Sequence, residues 1–128
     1  MKNLKWFLLG FLFGALLAAS MARAAELPLT ATEVELLDEG TRFDDQQVYV
    51  EGHITYAALF TGRLNGDYEI IMLTDDNDRS IRIFLDEKMH FNIGDRVAVQ
   101  GKFHKEGYFA GYPFENFIIL QAVYRDRR

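Results

Sequence analysis

Apolar and polar positions fall into three regimes along the 128-residue chain. From Gln47 onward the dominant period is two. In Gln47–Ala57, Val48, Val50, Ile54 and Tyr56 share one face, while Tyr49, Glu51, His53 and Thr55 share the other. Such alternation predicts a half-buried strand. Tyr68–Thr74 is a second strand, apolar on both faces. Ser80–Leu85 is a third, with Ile81, Ile83 and Leu85 opposite Arg82 and Phe84. Gly94-Asp95 leads into a fourth, Arg96–Phe103. Tyr108–Phe114 and Asn116–Tyr124 form a last strand interrupted at Pro113. Between them, Ala58–Gly66 is turn-rich and Asp75–Asp78 is a polar tip. Asp86–Ile93 is mixed, with room for one helical turn, and Lys105-Glu106-Gly107 is the expected hairpin turn.

A second regime, Ala31–Glu39, has helical spacing, with Val34, Leu36 and Leu37 on one face. Thr30-Ala31-Thr32-Glu33 reads as a capping box, with Thr30 as the cap and Glu33 reaching back. Gly40 is placed to end the helix. The remaining regime is the N-terminus. Lys2 and Lys5 precede an unbroken run of apolar residues and Gly from Trp6 to Ala19, and Ala22-Arg23-Ala24 follows. Positive start, apolar centre and small residues at a cleavage point make a secretory signal peptide. Cleavage is expected after Ala24, leaving one domain over residues 25–128 in the periplasm or secreted. The alternative is a retained anchor. Seventeen uncharged residues separate Lys5 from Arg23, at the low edge of the roughly 17–25 that span a bilayer. Only in that case is a membrane a partner.

Composition narrows the chemistry. There is no Cys, which excludes disulfides, thiolate metal sites, cysteine nucleophiles and a lipid-modified cysteine anchor. The chain carries 14 Lys+Arg against 19 Asp+Glu. Lys2, Lys5 and Arg23 leave with the signal, so the mature charge falls from −5 to −8. An acidic domain is a poor match to nucleic acid, which is held by clustered positive charge.

One short pattern occurs twice. Val48-Tyr49-Val50-Glu51-Gly52 and Val97-Ala98-Val99-Gln100-Gly101 share the form V-x-V-x-G. A Gly inside a strand marks a bend or a close backbone approach, as small closed barrels require. With Val48–Ile54, the Asp75–Asp78 turn and Gly94–Lys102, the chain resembles the OB-fold. It is similar to small exported bacterial OB-fold proteins and to the group related to tRNA-anticodon-binding OB domains. The resemblance covers residues 44–124. It implies a mainly β protein: a five-stranded OB-fold barrel with a short N-terminal helix, preceded by the signal peptide.

It also implies a binding face on the second and third barrel strands, flanked by the first-to-second and fourth-to-fifth loops. On this chain that face would carry Arg82 and Phe84. The loops would add Phe60, Arg63, His104, Tyr108 and Tyr112, with Phe109 among them. Aromatics interleaved with basic groups suit flat rings and anions. The same aromatics more commonly seal barrel ends, because their large areas usually pack.

Other chemistry has little support. His53, His90 and His104 are dispersed and lack metal-site spacing. Asp76, Asp78, Ser80 and Glu87 match four calcium-loop positions, but Ile81 stands where that loop needs Gly. Ser80 is the only serine after the signal and has no nucleophile elbow around it. No catalytic residues, metal ligands or cofactor are assigned. The periplasmic haem chaperone of cytochrome c maturation also joins an apolar N-terminal segment to an OB-type barrel. Its haem-attaching H-x-x-x-Y segment follows the last strand, whereas here His104 and Tyr108 give that spacing at the fourth-to-fifth turn. The expectation is an exported cell-envelope binding or adaptor module for a protein or a small ligand. The alternatives are a single-stranded nucleic-acid binder and a metal or haem carrier.

Overall fold

The computed structural model describes residues 27–62, 66–86 and 89–125. The signal-like segment and its cleavage point lie outside them. The described elements are β1 (Leu29–Thr30), α1 (Glu33–Asp38), α2 (Gly40–Phe43), β2 (Gln47–Thr61), β3 (Asp67–Thr74), β4 (Ser80–Leu85), β5 (Arg96–Phe109) and β6 (Tyr112–Arg125). β2, β3 and β4 form an antiparallel meander. β6 runs parallel to β4 and antiparallel to β5, and β5 pairs back onto β2. Five strands therefore close in the order β2-β3-β4-β6-β5-β2. The two-residue β1 joins as a sixth strand, parallel to β2.

The two V-x-V-x-G segments face each other in this closure. Val48 pairs with Gly101, Val50 with Val99, and Gly52 with Val97. Both glycines are bare because other chain comes close. A Cβ on Gly101 would collide with the Ile119 carbonyl oxygen. One on Gly52 would collide with Glu33 Oε2 and stand 2.8 Å from the Thr74 carbonyl oxygen.

The barrel interior is filled by inward residues of β2 to β6, among them Val48, Val50, Ile54, Ile71, Leu73, Ile81, Ile83, Val99 and Ile118. Leu36 and Phe43, from the two short helices, complete it, each at most 1% exposed. Asp38 of α1 is tethered to Arg79 of the β3–β4 turn at 3.0 Å.

Four local expectations are corrected. The helix starts two residues late: Thr32, not Thr30, is its cap and Glu35 completes the capping box. Thr30 is instead drawn into β1, paired with Tyr49. Gly40 opens α2 rather than ending a chain of helix. Tyr56 does not continue the Val48–Ile54 face. The β2–β3 register shifts between Ile54 and Tyr56, so Ala57 packs toward the core and Tyr56 is 43% exposed. Lys105-Glu106-Gly107 lies within β5, and the hairpin turns at Ala110-Gly111. Both turn residues have positive φ, 54° and 88°, which a tight two-residue hairpin with the strands' own twist requires. The strands consequently run on as a long β5–β6 hairpin beyond the barrel.

Candidate binding site

That hairpin decides what the outer face of β3 and β4 can do. Outward residues of β3 (Tyr68, Ile70) and β4 (Phe84), with Phe117 of β6, form a second buried cluster. Phe109, Ala110 and Phe114 of the hairpin pack on it. Asn116, mid-strand with φ of 51°, breaks the pleat where the hairpin leaves the barrel. Phe84 is the hub. Its ring stacks on Phe109 at 4.5 Å, and lies 4.7 Å from Phe114, 5.0 Å from Phe117 and 6.1 Å from Tyr68. Aromatic pairs at such distances contribute about 0.5–1.5 kcal/mol each beyond their buried area. The face is thus sealed by the chain's own aromatics.

The residues singled out in the sequence divide accordingly. Phe84 is on the expected face but fully buried. Phe60 stacks on Tyr68 at 5.8 Å and is 36% exposed at the edge of the seal. Tyr112 is close to Tyr68: burial first, then the Tyr112 hydroxyl, push the Tyr68 phenol above its ordinary value. His104 stacks on Phe117 at 5.1 Å. Arg63 lies outside the described residues. Arg82 and Tyr108 come together on a groove of about 670 Å³ between β4 and the hairpin.

Arg82 is half-buried and fixed in place. Its Nη1 donates to the Glu115 carbonyl oxygen at 3.3 Å, and its guanidinium lies 5.4 Å from the Phe114 ring centre. Among the described residues it has no carboxylate partner at ion-pair distance, unlike Arg42, Arg79 and Arg96. Tyr108 is 75% exposed. Glu106, Pro113 and Glu115 complete the opening. The groove therefore offers an oriented cation, two carboxylates and apolar ring surface. Phe109, named with the loop aromatics, joins the seal on Phe84; Phe114 and Phe117, which build the groove's wall and the rest of the seal, lack any motif. The signal that could have found them is the β3 segment, apolar on both faces and so buried on both.

Among the described residues, metal and nucleophile geometries do not assemble. His53 pairs with Arg96, and His104 sits eight residues further along β5, about 27 Å at strand rise. Among the described residues no group of three His, Asp or Glu side chains is placed to hold a metal ion. Asp75 accepts from the Asn77 and Arg79 amides at 2.8 and 2.9 Å, so the acidic tip is a self-capped turn. Ser80 is hydrogen-bonded to Thr74 at 2.7 Å, and Thr74 to Thr55 at 2.8 Å. That hydroxyl chain contains no base.

The strand order, the parallel β4–β6 closure and the long fourth-to-fifth hairpin define an OB-fold protein. Comparison agrees. A protein assigned as an aspartyl-tRNA synthetase from Leishmania major Friedlin shares the fold at a TM-score of 0.54 and 12% identity. The match covers 78% of this chain but only 21% of the synthetase. The second OB-fold domain of replication protein A from Methanococcus maripaludis matches over 66% of this chain and 88% of its own. Its identity is 14% and its TM-score is 0.44, so it adds nothing to the fold argument. No protein-family model and no curated protein sequence matches the chain.

Proposed function

We propose that this chain is an exported binding module of the cell envelope, holding a segment of a partner protein in the groove between β4 and the β5–β6 hairpin. The observation that carries this reading is the pairing of Arg82 and Tyr108 on one opening, with Arg82 oriented and, among the described residues, without a carboxylate at ion-pair distance. A guanidinium stacked on a ring is suited to a carboxylate, which it can bind through two parallel hydrogen bonds. Exposed Tyr beside it supplies rigid contact area at low entropic cost. Glu106 and Glu115 on the same opening favour a mixed-charge polypeptide over a phosphate backbone. Export rests on the N-terminal pattern of Lys2 to Ala24.

A second reading, a single-stranded nucleic-acid binder, draws on a fold neighbour named for tRNA and on the groove's place along the OB face. At 12% identity that likeness speaks to fold alone, and the acidic balance opposes the reading.

Affinity capture from the native envelope separates the two. Wild type is expected to retain a recurrent protein partner that Arg82→Ala and Tyr108→Ala each lose, by about tenfold or more, as for a central Arg or Tyr contact. Equal capture by all three removes the groove assignment. Salt-sensitive binding of a labelled single-stranded oligonucleotide, weakened by Arg82→Ala, would install the second reading.

A further inference from the structure

The long strand β2 changes neighbours halfway along. From Gln47 to His53 it pairs with β5. Ile54 still bonds to the turn before β5: its amide donates to the Asp95 carbonyl at 2.9 Å, and its carbonyl accepts from the Gly94 amide at 2.7 Å. Gly94, with φ of 98°, turns the chain before it away from β2. Past the register shift, Tyr56 to Thr61 pairs with β3 at six successive positions. On the opposite side of that stretch, no strand among the described residues pairs with it. In an antiparallel ladder alternate residues turn their N–H and C=O groups away from the neighbour. Tyr56–Thr61 therefore presents a row of open donors and acceptors.

Proteins usually blunt such an edge with charge, Pro or a covering segment. Thr55-Tyr56-Ala57-Ala58-Leu59-Phe60-Thr61 contains no charged residue and no Pro. Tyr56, Leu59 and Phe60 are all exposed, and so is Ile93 beside the Gly94 turn. Four of the eight large apolar side chains exposed among the described residues thus lie on or next to this one edge. Phe60 is held there by its stack on Tyr68.

We propose that this edge is a dimer interface, with Tyr56–Thr61 pairing antiparallel to the same segment of a second copy of the chain. The segment is complementary to itself. About a two-fold axis at Ala58, Tyr56 faces Phe60 of the partner subunit, and Ala57 faces Leu59 of the partner subunit. One face sets ring against ring and the other sets large against small, pairings that stabilise a ladder. A two-fold axis also brings like charges together, and this stretch carries none, although the chain as a whole stands at −5. Neutrality favours a second copy over an unlike strand: an acidic chain recruits basic segments through charge, and this edge offers none. The pairing joins two β2-β3-β4 meanders into one six-stranded sheet and closes at two copies. It uses no residue of the Arg82 groove.

Sedimentation equilibrium of the purified protein tests this, and is expected to give twice the mass of one chain. Tyr56→Lys and Leu59→Lys each place a charge on the edge at an exposed position. Each should raise the dimer dissociation constant by about tenfold or more. Tyr108→Lys, the same change of charge away from the edge, should leave it unchanged. The chain has no Cys, so Ala58→Cys supplies a single thiol at the axis. Directly opposed residues of an antiparallel pair have Cα atoms about 4.5–5.5 Å apart, within disulfide reach. Mild oxidation should link two copies of Ala58→Cys and not two copies of Tyr108→Cys. A monomer at every concentration overturns the proposal. A dimer left intact by both Tyr56→Lys and Leu59→Lys, or linkage no greater at position 58 than at position 108, also overturns it. A monomer that takes up a strand of another protein at this edge overturns the second copy as occupant.

Discussion

Glu33 lies under the first turn of α1, sealed from water, with Gly52 bare beneath it. Its carboxyl is raised from 4.5 to about 7, chiefly by burial, and this couples the fold to pH. Below 4.5 the group is neutral in both folded and unfolded chains and costs nothing. Between 4.5 and 7 the unfolded chain ionises while the folded one stays neutral, so stability falls as pH rises. Above 7 both are ionised and the loss levels off, at about 3 kcal/mol for a shift of this size. Glu33→Gln removes that dependence. Urea unfolding from pH 4.5 to 8 should show the variant gaining on wild type by about 3 kcal/mol across the window. A constant difference between the two would place the raised carboxyl elsewhere. The sequence offered Glu33 as a capping side chain for Thr30. It could not show otherwise, because Thr32 serves as a cap equally well and the choice fell to the β1–β2 pairing.

Among the elements, the β5–β6 hairpin does most to set this protein's surface. By turning at Ala110-Gly111 rather than at Lys105–Gly107, it gains the length to fold Phe109 and Phe114 over Phe84. Phe84 and Tyr108, both candidate ligand contacts in the sequence, therefore belong to opposite classes. Phe84→Ala is expected to cost about 3–5 kcal/mol of folding stability. Tyr108→Ala, three-quarters exposed, should stay within about 0.5 kcal/mol. Chemical denaturation of the two variants checks this. A marginal effect at Phe84 would mean that the hairpin does not seal the face in solution. Alternation alone put Phe84 outside the barrel, correctly, but could not show that a second layer covers it. The strand Tyr68–Thr74, apolar on both faces, carried that information. The bulge after Ile54 left no mark, because a one-residue shift preserves the local alternation on either side of it.

As a whole molecule, the chain is a closed barrel whose topology was legible in advance. Two V-x-V-x-G strands that pair with each other, a polar hairpin tip and inward Ile and Val positions all point to the same closure. The candidate binding groove was less legible. Arg82 and Tyr108 are 26 residues apart in sequence and meet only because the hairpin folds back over β4. With the OB face sealed by its own aromatics, the proposed place of recognition is the hairpin groove. Hydrogen exchange of the protein with any partner recovered by affinity capture, against the protein alone, tests that proposal. Added protection confined to Ser80–Leu85 and to residues 106–115 of the hairpin is expected. Protection confined to β1, α1 and the β3–β4 turn, with the hairpin unchanged, would contradict it.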